Sequence, residues 1–398
     1  MRIAVVNNFF PPRVGGSSHL SHSLAVGYAE RGHEVIVITA AYPGAPPYEE
    51  QDGIKIYRFP AMAMPKTRLS VSFDMAFATR PTLRARTNRV LKAFGPDVIH
   101  QHGQFFDLTW STGRWARANN VPVLLSVHTR LESPDKNYEK VFRGLDASIV
   151  RPTLKRYRPT FVVMDVLMDQ YIKARYHGAI GGLVNIPVGV ELDRFRGGDP
   201  QVVRERHGLA ADTPLIASIG HVIQLRDRIA LIEALPKVRA HVPNAKLAVI
   251  GGVYYDRYLT RAQELGVDDM LINTGAVPRD DVRDYLAAAT IESHELNGYG
   301  FGTASLEAMG VGVPIVAAVR GDNFPGIPLV DGENIYLFEV GDTDQLAEKV
   351  VRALQNPAEA QAIGRRGADL VEQHFTMNAV LDQHLETLGK LNEATAGC

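Results

Sequence analysis

Short apolar runs of strand length alternate with helix-length segments along this chain, and the alternation starts twice. "RIAVVNN" (2–8) opens it, followed by the loop "FFPPRVGGSSHL" (9–20) and a helix with Leu20, Leu24 and Tyr28 at helical spacing that stops at Gly32. "HEVIVITA" (33–40), "GIKIYRF" (53–59), "DVIHQHG" (97–103), "VPVLLSVHT" (121–129) and "TFVVMD" (160–165) read as further strands. "GLVNIPVGVELDRF" (182–195) closes this half, and "RGGDP" (196–200) reads as a linker. The pattern then restarts with "TPLIASIGH" (213–221), "AKLAVIGG" (245–252), "LINTGAVP" (271–278) and "VPIVAA" (313–318), each followed by a helix. Strands alternating with helices imply parallel sheets covered on both faces. Two such series imply an α/β chain of two doubly wound, Rossmann-like domains, residues 1–195 and 196–375, with ligands at the carboxyl ends of their strands.

Bulk properties narrow the function classes. With 398 residues the chain exceeds one average core, and 45% apolar with 22% charged residues describes a globular protein. A net charge of −1 gives no global argument for nucleic acid. The one cysteine, Cys398, allows neither an internal disulfide nor a cysteine metal site. The apolar start Ile3–Val6 is cut off by Asn7-Asn8, too short for a signal peptide, and no apolar run approaches bilayer length. A cytoplasmic protein is expected.

The fold class admits a dinucleotide oxidoreductase, but the residues do not. That chemistry needs G-x-G-x-x-G after the first strand and an acid ending the second. The loop reads Pro11-Pro12-Arg13-Val14-Gly15-Gly16-Ser17-Ser18, and the second strand ends in Thr39-Ala40. The glycine-dense stretch lies elsewhere, in "HELNGYGFGTASLEAMGVGVP" (294–314), which runs straight into a helix carrying Glu307. A helix start leaves N–H groups without partners and concentrates partial positive charge, and glycines let a ligand approach closely. This arrangement suits a bound phosphate, although an ordinary loop-to-helix junction looks the same in sequence.

Taken in order, these segments resemble glycosyltransferase family 4, retaining enzymes of the GT-B fold. The resemblance runs from residues 2–39 through "PDVIHQHG", "VHT", "NIPVGVELDRF", "SIGHVIQLRDRIALIEAL", "GAVPRDDVRDYLAAA" and "GYGFGTASLEAMGVGVPIVA" to "DGENIYLFEVGDTDQLAEKVVRAL". It implies two domains facing a central cleft, a nucleotide-sugar donor mainly on the second and an acceptor mainly on the first. It also implies that the last helix, 376–398, returns to the first domain.

By this resemblance the backbone of Gly300, Phe301, Gly302 and Thr303 faces the donor sugar and diphosphate, and Glu307 grips the nucleotide ribose, its place near a helix start favouring the charged form. Val277, in the matched "GAVP", joins the donor side, and Gly15 and Gly16 match a glycine loop that approaches donor and acceptor across the cleft. His128 matches a histidine near the donor sugar, with a catalytic role, and Gly16, His19 and Arg130 are implied on the acceptor side. His100 and His102 lack further ligands for a metal and read as ordinary strand-end side chains.

Several positions depart from the family. Its first acid falls at 299, which is Tyr299, with Glu295 and Asn297 the candidates to take over the contact. An arginine and a lysine for the diphosphate appear as His221 and Arg226; the guanidinium keeps the cation and suits phosphate, unless it merely pairs with Asp227 or a nearby acid. The segment Val188-Gly189-Val190-Glu191 lacks the family's asparagine, and "RGDNFPGIP" (320–328) lacks its glutamate. An altered donor sugar, or loss of transfer leaving a nucleotide-sugar-binding pseudo-transferase, follows from these changes.

The implied mechanism is front-face substitution with retention, in which Arg226 and main-chain amides stabilise charge on the leaving diphosphate and no separate base acts. No cofactor or metal is expected, only a nucleoside-diphosphate sugar, UDP or GDP first. Asp342-Thr343-Asp344 resembles a D-x-D metal motif but precedes a helical run and reads better as a helix cap. Between 65 and 95, Lys66, Arg68, Arg80, Arg84, Arg86, Arg89 and Lys92 face one acid, Asp74. A solvated basic face is the preferred reading, with lipid or phosphorylated-acceptor binding at a membrane surface as the alternative. Arginine in excess over lysine suggests a GC-rich bacterium and a small-molecule acceptor of secondary metabolism.

Overall fold

Parallel strands buried on both faces need continuous apolar runs, and the first half supplies them. A computed structural model describes residues 1–13, 15–63, 76–78, 82–132, 136–298 and 300–396. The chain divides into two compact units, Met1–Ile186 with Val380–Cys398, and Pro187–Ala379.

The first unit is built on β1 (Arg2–Asn7), β2 (Glu34–Ala40), β3 (Tyr48–Gln51) and β4 (Ile54–Phe59), with a short pair β5 (Met62–Ala63) and β6 (Ala76–Phe77) beside them. It continues through β7 (Val98–His102), β8 (Val123–Ser126), β9 (Thr160–Val163) and β10 (Gly182–Asn185). Eight of these form one sheet in the order β10-β9-β8-β7-β1-β2-β4-β3, parallel except where β3 runs antiparallel to β4 at the edge. The sequence pattern anticipated every strand of this sheet but β3, whose exposed "YEEQ" carries no apolar run, and β10, which lies in the segment read only as the close of this half. Ile3, Val5, Ile36, Ile38, Leu124 and Phe161 are buried. Each such side chain contributes about 1.5–3 kcal/mol of transfer free energy.

The last helix, Met377–Ala396, lies with this unit from Val380 onward. Val380, Leu381, His384 and Leu388 are buried. Gly27, in the helix Gly16–Glu30, makes that packing possible: a Cβ there would lie 2.4 Å from Cδ2 of Leu381. Arg31 donates to Asp382 at 3.1 Å beside the same contact.

The second unit contains β11 (Leu215–Ile219), β12 (Lys246–Ile250), β13 (Leu271–Gly275) and β14 (Ile291–Glu292) in the order β13-β12-β11-β14, all parallel. A bridge from Glu292 to Ile315 leads to the parallel pair β15 (Val316–Ala317) and β16 (Tyr336–Leu337). This unit begins after Ile186 rather than near 195. The segment after Pro187 is held by Val190, whose N–H donates to Phe375 at 2.8 Å and whose carbonyl accepts from Met377 at 3.1 Å. Leu192 and Phe195 then join the core around Val371 and Phe375. Among the described residues, no helix is long and apolar enough to cross a membrane.

Candidate functional site

In the second unit the strand order reverses between β11 and β14, the switch point at which doubly wound sheets bind ligands. Glu292 at the end of β14, His294 and Glu295 just after it, and Arg226 on the segment after β11 form a chain of alternating charges. Glu292 ends β14 fully buried; its carboxylate accepts from the Ile219 N–H at 3.4 Å and the Ser305 hydroxyl at 3.3 Å. The same carboxylate takes Nδ1 of His294 as partner. His294 Nε2 reaches Glu295 Oε1 at 3.2 Å, and that oxygen also accepts from the Gly302 N–H at 2.9 Å. Nη2 of Arg226 stands 3.7 Å from it.

Burial works against a charge on His294, but the two flanking carboxylates outweigh it and hold the ring's pKa at about 9. Glu295 shows the reverse balance: burial favours its neutral form, while His294, Arg226 and the Gly302 N–H bring it down to about 2. Buried charges persist only when paired and hydrogen-bonded, and here each carboxylate has a cation against it.

Gly302 is the N-cap of the helix Thr303–Gly310, which has no side-chain cap. A Cβ on Gly302 would lie 2.6 Å from Glu295 Oε1 and 3.6 Å from Nη2 of Arg226. The residue must therefore be glycine for the carboxylate and the guanidinium to close on the helix start. Its N–H, expected to face a diphosphate, is instead used by Glu295. Phe301 departs similarly: its side chain is buried, edge-on to Phe324 at 6.1 Å between centroids. Only its main chain remains for a ligand. Gly300 is buried with φ 117°, and Thr303 is exposed. Tyr299 lies outside the described residues.

Glu307 is the fifth residue of its helix, beyond the first turn, so it does not serve as a dipole-complementing acid at the helix start. Arg279 donates to it at 3.1 Å. Burial raises its pKa, against the expected preference for the charged form, and Arg279 only partly opposes this. Arg226 pairs with Glu295 and not with Asp227, whose carboxylate instead accepts from the Ile229 N–H at 3.0 Å. With 42% of its side chain exposed, the Arg226 guanidinium keeps a solvent-facing side. His221 is exposed, and its Nδ1 accepts from the Gly252 N–H at 3.1 Å, which leaves Nε2 as the ring nitrogen open to a further hydrogen bond. Val277 is half-buried and packs on the core of the unit.

Three residues of this site, Glu292, Arg228 and His294, escaped the sequence reading. Arg228 is fully buried; burial lowers its pKa to about 10. It donates to the carbonyls of Arg226 at 2.8 Å and Gly220 at 3.2 Å, stapling the loop that carries Arg226. His294 stands in a charged segment without an apolar run. The available signal was its position between two acids immediately after a strand.

In the first unit, Gly15 precedes and Gly16 opens the helix Gly16–Glu30, both exposed with nothing within 4 Å of a would-be Cβ. His19 is exposed on the same turn, and Arg130 pairs with Glu132 at 3.6 Å. His128 follows β8 and stacks parallel on His102, with Nε2 2.8 Å from His102 Nδ1. His102 in turn packs on His100, and His100 on His384 of the last helix. Burial lowers the pKa of all four, to about 4 for His128 and His384. Tyr28 and Ser126 flank His100 at 3.1 and 2.9 Å.

Asp342 caps the helix Thr343–Gln355 by accepting from the Gln345 N–H at 2.8 Å, and Asp344 pairs with Lys237 at 3.4 Å. Among the described residues no group of three or more His, Cys, Asp or Glu is placed to hold a metal ion. Of the basic run, Lys66, Arg68, Asp74 and Arg80 lie outside the described residues. Arg84, Arg86, Arg89 and Lys92 are exposed on the helix Leu83–Phe94, which buries Leu83, Thr87 and Leu91.

Comparison with known proteins bears on both units. Residues 15–179 match the family described as "glycosyl transferase 4-like domain", and residues 200–369 match "glycosyl transferases group 1". A GDP-mannose-dependent alpha-(1-6)-phosphatidylinositol monomannoside mannosyltransferase of Mycolicibacterium smegmatis is 28% identical over 91% of this chain and 92% of its own length. A D-inositol 3-phosphate glycosyltransferase of Saccharomonospora viridis is 26% identical over 94% and 90%. Among solved structures, sucrose-phosphate synthase from Thermosynechococcus elongatus superposes with a TM-score of 0.74 at 21% identity, covering 99% of this chain and 100% of that one. HepE of Anabaena in complex with UDP gives 0.73 at 18% identity, covering 98% and 100%. At these identities the two structures show a shared fold.

Proposed function

The chain belongs to the glycosyltransferase family of these two domains, with the GT-B fold, and from that premise we propose a specific reaction. It moves a hexose, mannose first, from a nucleoside diphosphate to a phosphoinositol-type acceptor, keeping the anomeric configuration. The observation that carries the donor side is the half-exposed Arg226 guanidinium, held against an uncapped helix start with Glu307 farther along the same helix. A cation and free helical N–H groups at one point suit a diphosphate, and a carboxylate beyond them suits a ribose diol.

In the proposed front-face reaction the acceptor oxygen forms its bond to the anomeric carbon on the side from which the diphosphate departs. The bond from that carbon to the phosphate oxygen breaks, and the leaving phosphate takes the acceptor proton. Arg226 and the helix start stabilise the charge that builds on the phosphate. His221 adds a hydrogen bond through Nε2. His128, held neutral by burial, serves the first unit as a donor or acceptor of hydrogen bonds and not as a cation.

The acceptor assignment replaces a secondary-metabolite acceptor as the first choice. Both relatives named above act on an inositol carrying phosphate, and they match this chain over nine-tenths of its length. The exposed cations of the helix Leu83–Phe94 offer that phosphate an electrostatic partner. To test the reading, purified protein is incubated with GDP-mannose or UDP-glucose and with inositol, inositol 3-phosphate or phosphatidylinositol vesicles in turn, and products are read by mass spectrometry and the anomeric NMR coupling. A glycosylated inositol product with retained configuration supports the proposal. Transfer only to non-phosphorylated acceptors, or an inverted product, overturns it.

A further inference from the structure

The family's first acid is missing from the sequence at Tyr299, yet a buried carboxylate, Glu295, contacts the N–H of Gly302. Glu295 is 3% exposed, so it does not reach a sugar. Three donors converge on its Oε1: the His294 ring, the Gly302 N–H and, at longer range, the Arg226 guanidinium. Asn297 adds a second tie between the two loops, donating to the Leu225 carbonyl at 3.1 Å. We infer that Glu295 is a positioning residue: wedged between the His294 ring and the Gly302 N–H, its carboxylate fixes Arg226 against the start of the helix Thr303–Gly310, where the donor diphosphate binds. This inference rests on the donor-site reading above.

The geometry accounts for each member of the set. Without Glu295, Arg226 is a long side chain on a loop, and ordering it on ligand binding costs rotamer entropy. With Glu295 present the guanidinium is already placed, and its exposed side is left for phosphate. His294 makes this possible because it is the donor common to two buried carboxylates. From β14 and the loop after it, Glu292 and Glu295 face the ring; from the helix Thr303–Gly310, Ser305 faces it at 3.4 Å. From the loop ahead of the helix Ile229–His241, the buried Arg228 guanidinium meets the same Gly220 corner as the ring. The order Glu292, His294, Glu295, Arg226 alternates in sign only while the ring is protonated. A neutral ring has one N–H to give, and one carboxylate loses its donor.

The test is calorimetric titration of GDP and UDP into the wild type, Glu295→Gln, Arg226→Gln and the double variant at pH 7.0. Circular dichroism checks that each is folded. Glu295→Gln is expected to weaken binding about tenfold when Arg226 is present and less than twofold when it is absent. Equal weakening in both backgrounds, or none, overturns the inference. A second arm compares pH 7.0 with pH 9.5, above the pKa of about 9 that Glu292 and Glu295 impose on His294. Ionisation of the base lowers affinity in all variants alike. The wild type is therefore expected to lose several-fold more affinity than Arg226→Gln, and parallel losses overturn the inference even where Glu295→Gln does not fold. A wild type that binds neither nucleotide at pH 7.0 defeats the donor-site reading itself.

Discussion

Acid should act oppositely on the two units, and the histidine stack makes the size of the effect calculable. A neutral buried histidine whose folded pKa lies below its unfolded value contributes stability that is complete above about pH 6.5. That contribution is lost as the pH falls toward the folded pKa. His128 and His384 both sit near 4. Going from pH 7.5 to 5.0 then removes about 2 kcal/mol for each, or about 4 kcal/mol for the pair. Mutual repulsion contributes to the lowered pKa of His128, so that sum is an upper bound. Against a typical total of about 5–15 kcal/mol the loss is large. His294 has the opposite sign: its pKa near 9 gives stability that is complete below about 6.5 and lost as the pH rises through 9. The second unit gains about 1 kcal/mol over the same acid step. Both tryptophans, Trp110 and Trp115, lie on the helix Asp107–Ala118 of the first unit, so indole fluorescence follows that unit alone. The urea midpoint read by fluorescence should fall steeply between pH 6.5 and 5.0, and His384→Leu should remove about a quarter of that slope, since His100, His102 and His128 share the loss. A fluorescence midpoint that is flat or rises toward pH 5.0 would refute the assignment of neutral, buried histidines.

Three substitutions probe other contacts. Gly27→Ala should destabilise the first unit by about 1–3 kcal/mol, because its Cβ would meet Leu381 at 2.4 Å, and Leu381→Ala should relieve most of the loss in a urea titration. Asp342→Ala should cost about 1 kcal/mol through loss of the N-cap at Gln345 while leaving transfer unchanged, with or without added manganese; a metal-dependent loss of activity would contradict the cap. Gly302→Ala should keep its fold but weaken nucleotide binding at least tenfold, since the methyl would displace the Glu295 carboxylate; calorimetry with GDP and UDP checks it.

How much was legible depended on whether a residue's role is written in its neighbours along the chain. The apolar runs at 2–8, 33–40, 97–103 and 121–129 predict β1, β2, β7 and β8 because strands buried on both faces have nothing else to be made of. The glycine-dense sequence before Glu307 marks a helix start for the same local reason. β14 was not legible. It is two residues long, and its continuation, Glu292 to Glu295, is mostly charged, so the segment reads as a solvated loop. Only its placement beside β11, with Arg226 and Gly302 brought in from either side, turns those charges into a buried and satisfied set.

From its order of residues alone, this chain determined two alternating α/β units, the helix start that carries Glu307 and the family that shares them. Local hydrophobic period and turn chemistry are short-range properties and survive in one dimension. Tertiary structure alone decided which way each group faces: Phe301 inward, the Gly302 N–H onto Glu295, Arg226 away from Asp227, and four histidines stacked neutral in one core. Charge states depend on distance and burial, and neither is defined until residues far apart in sequence come together.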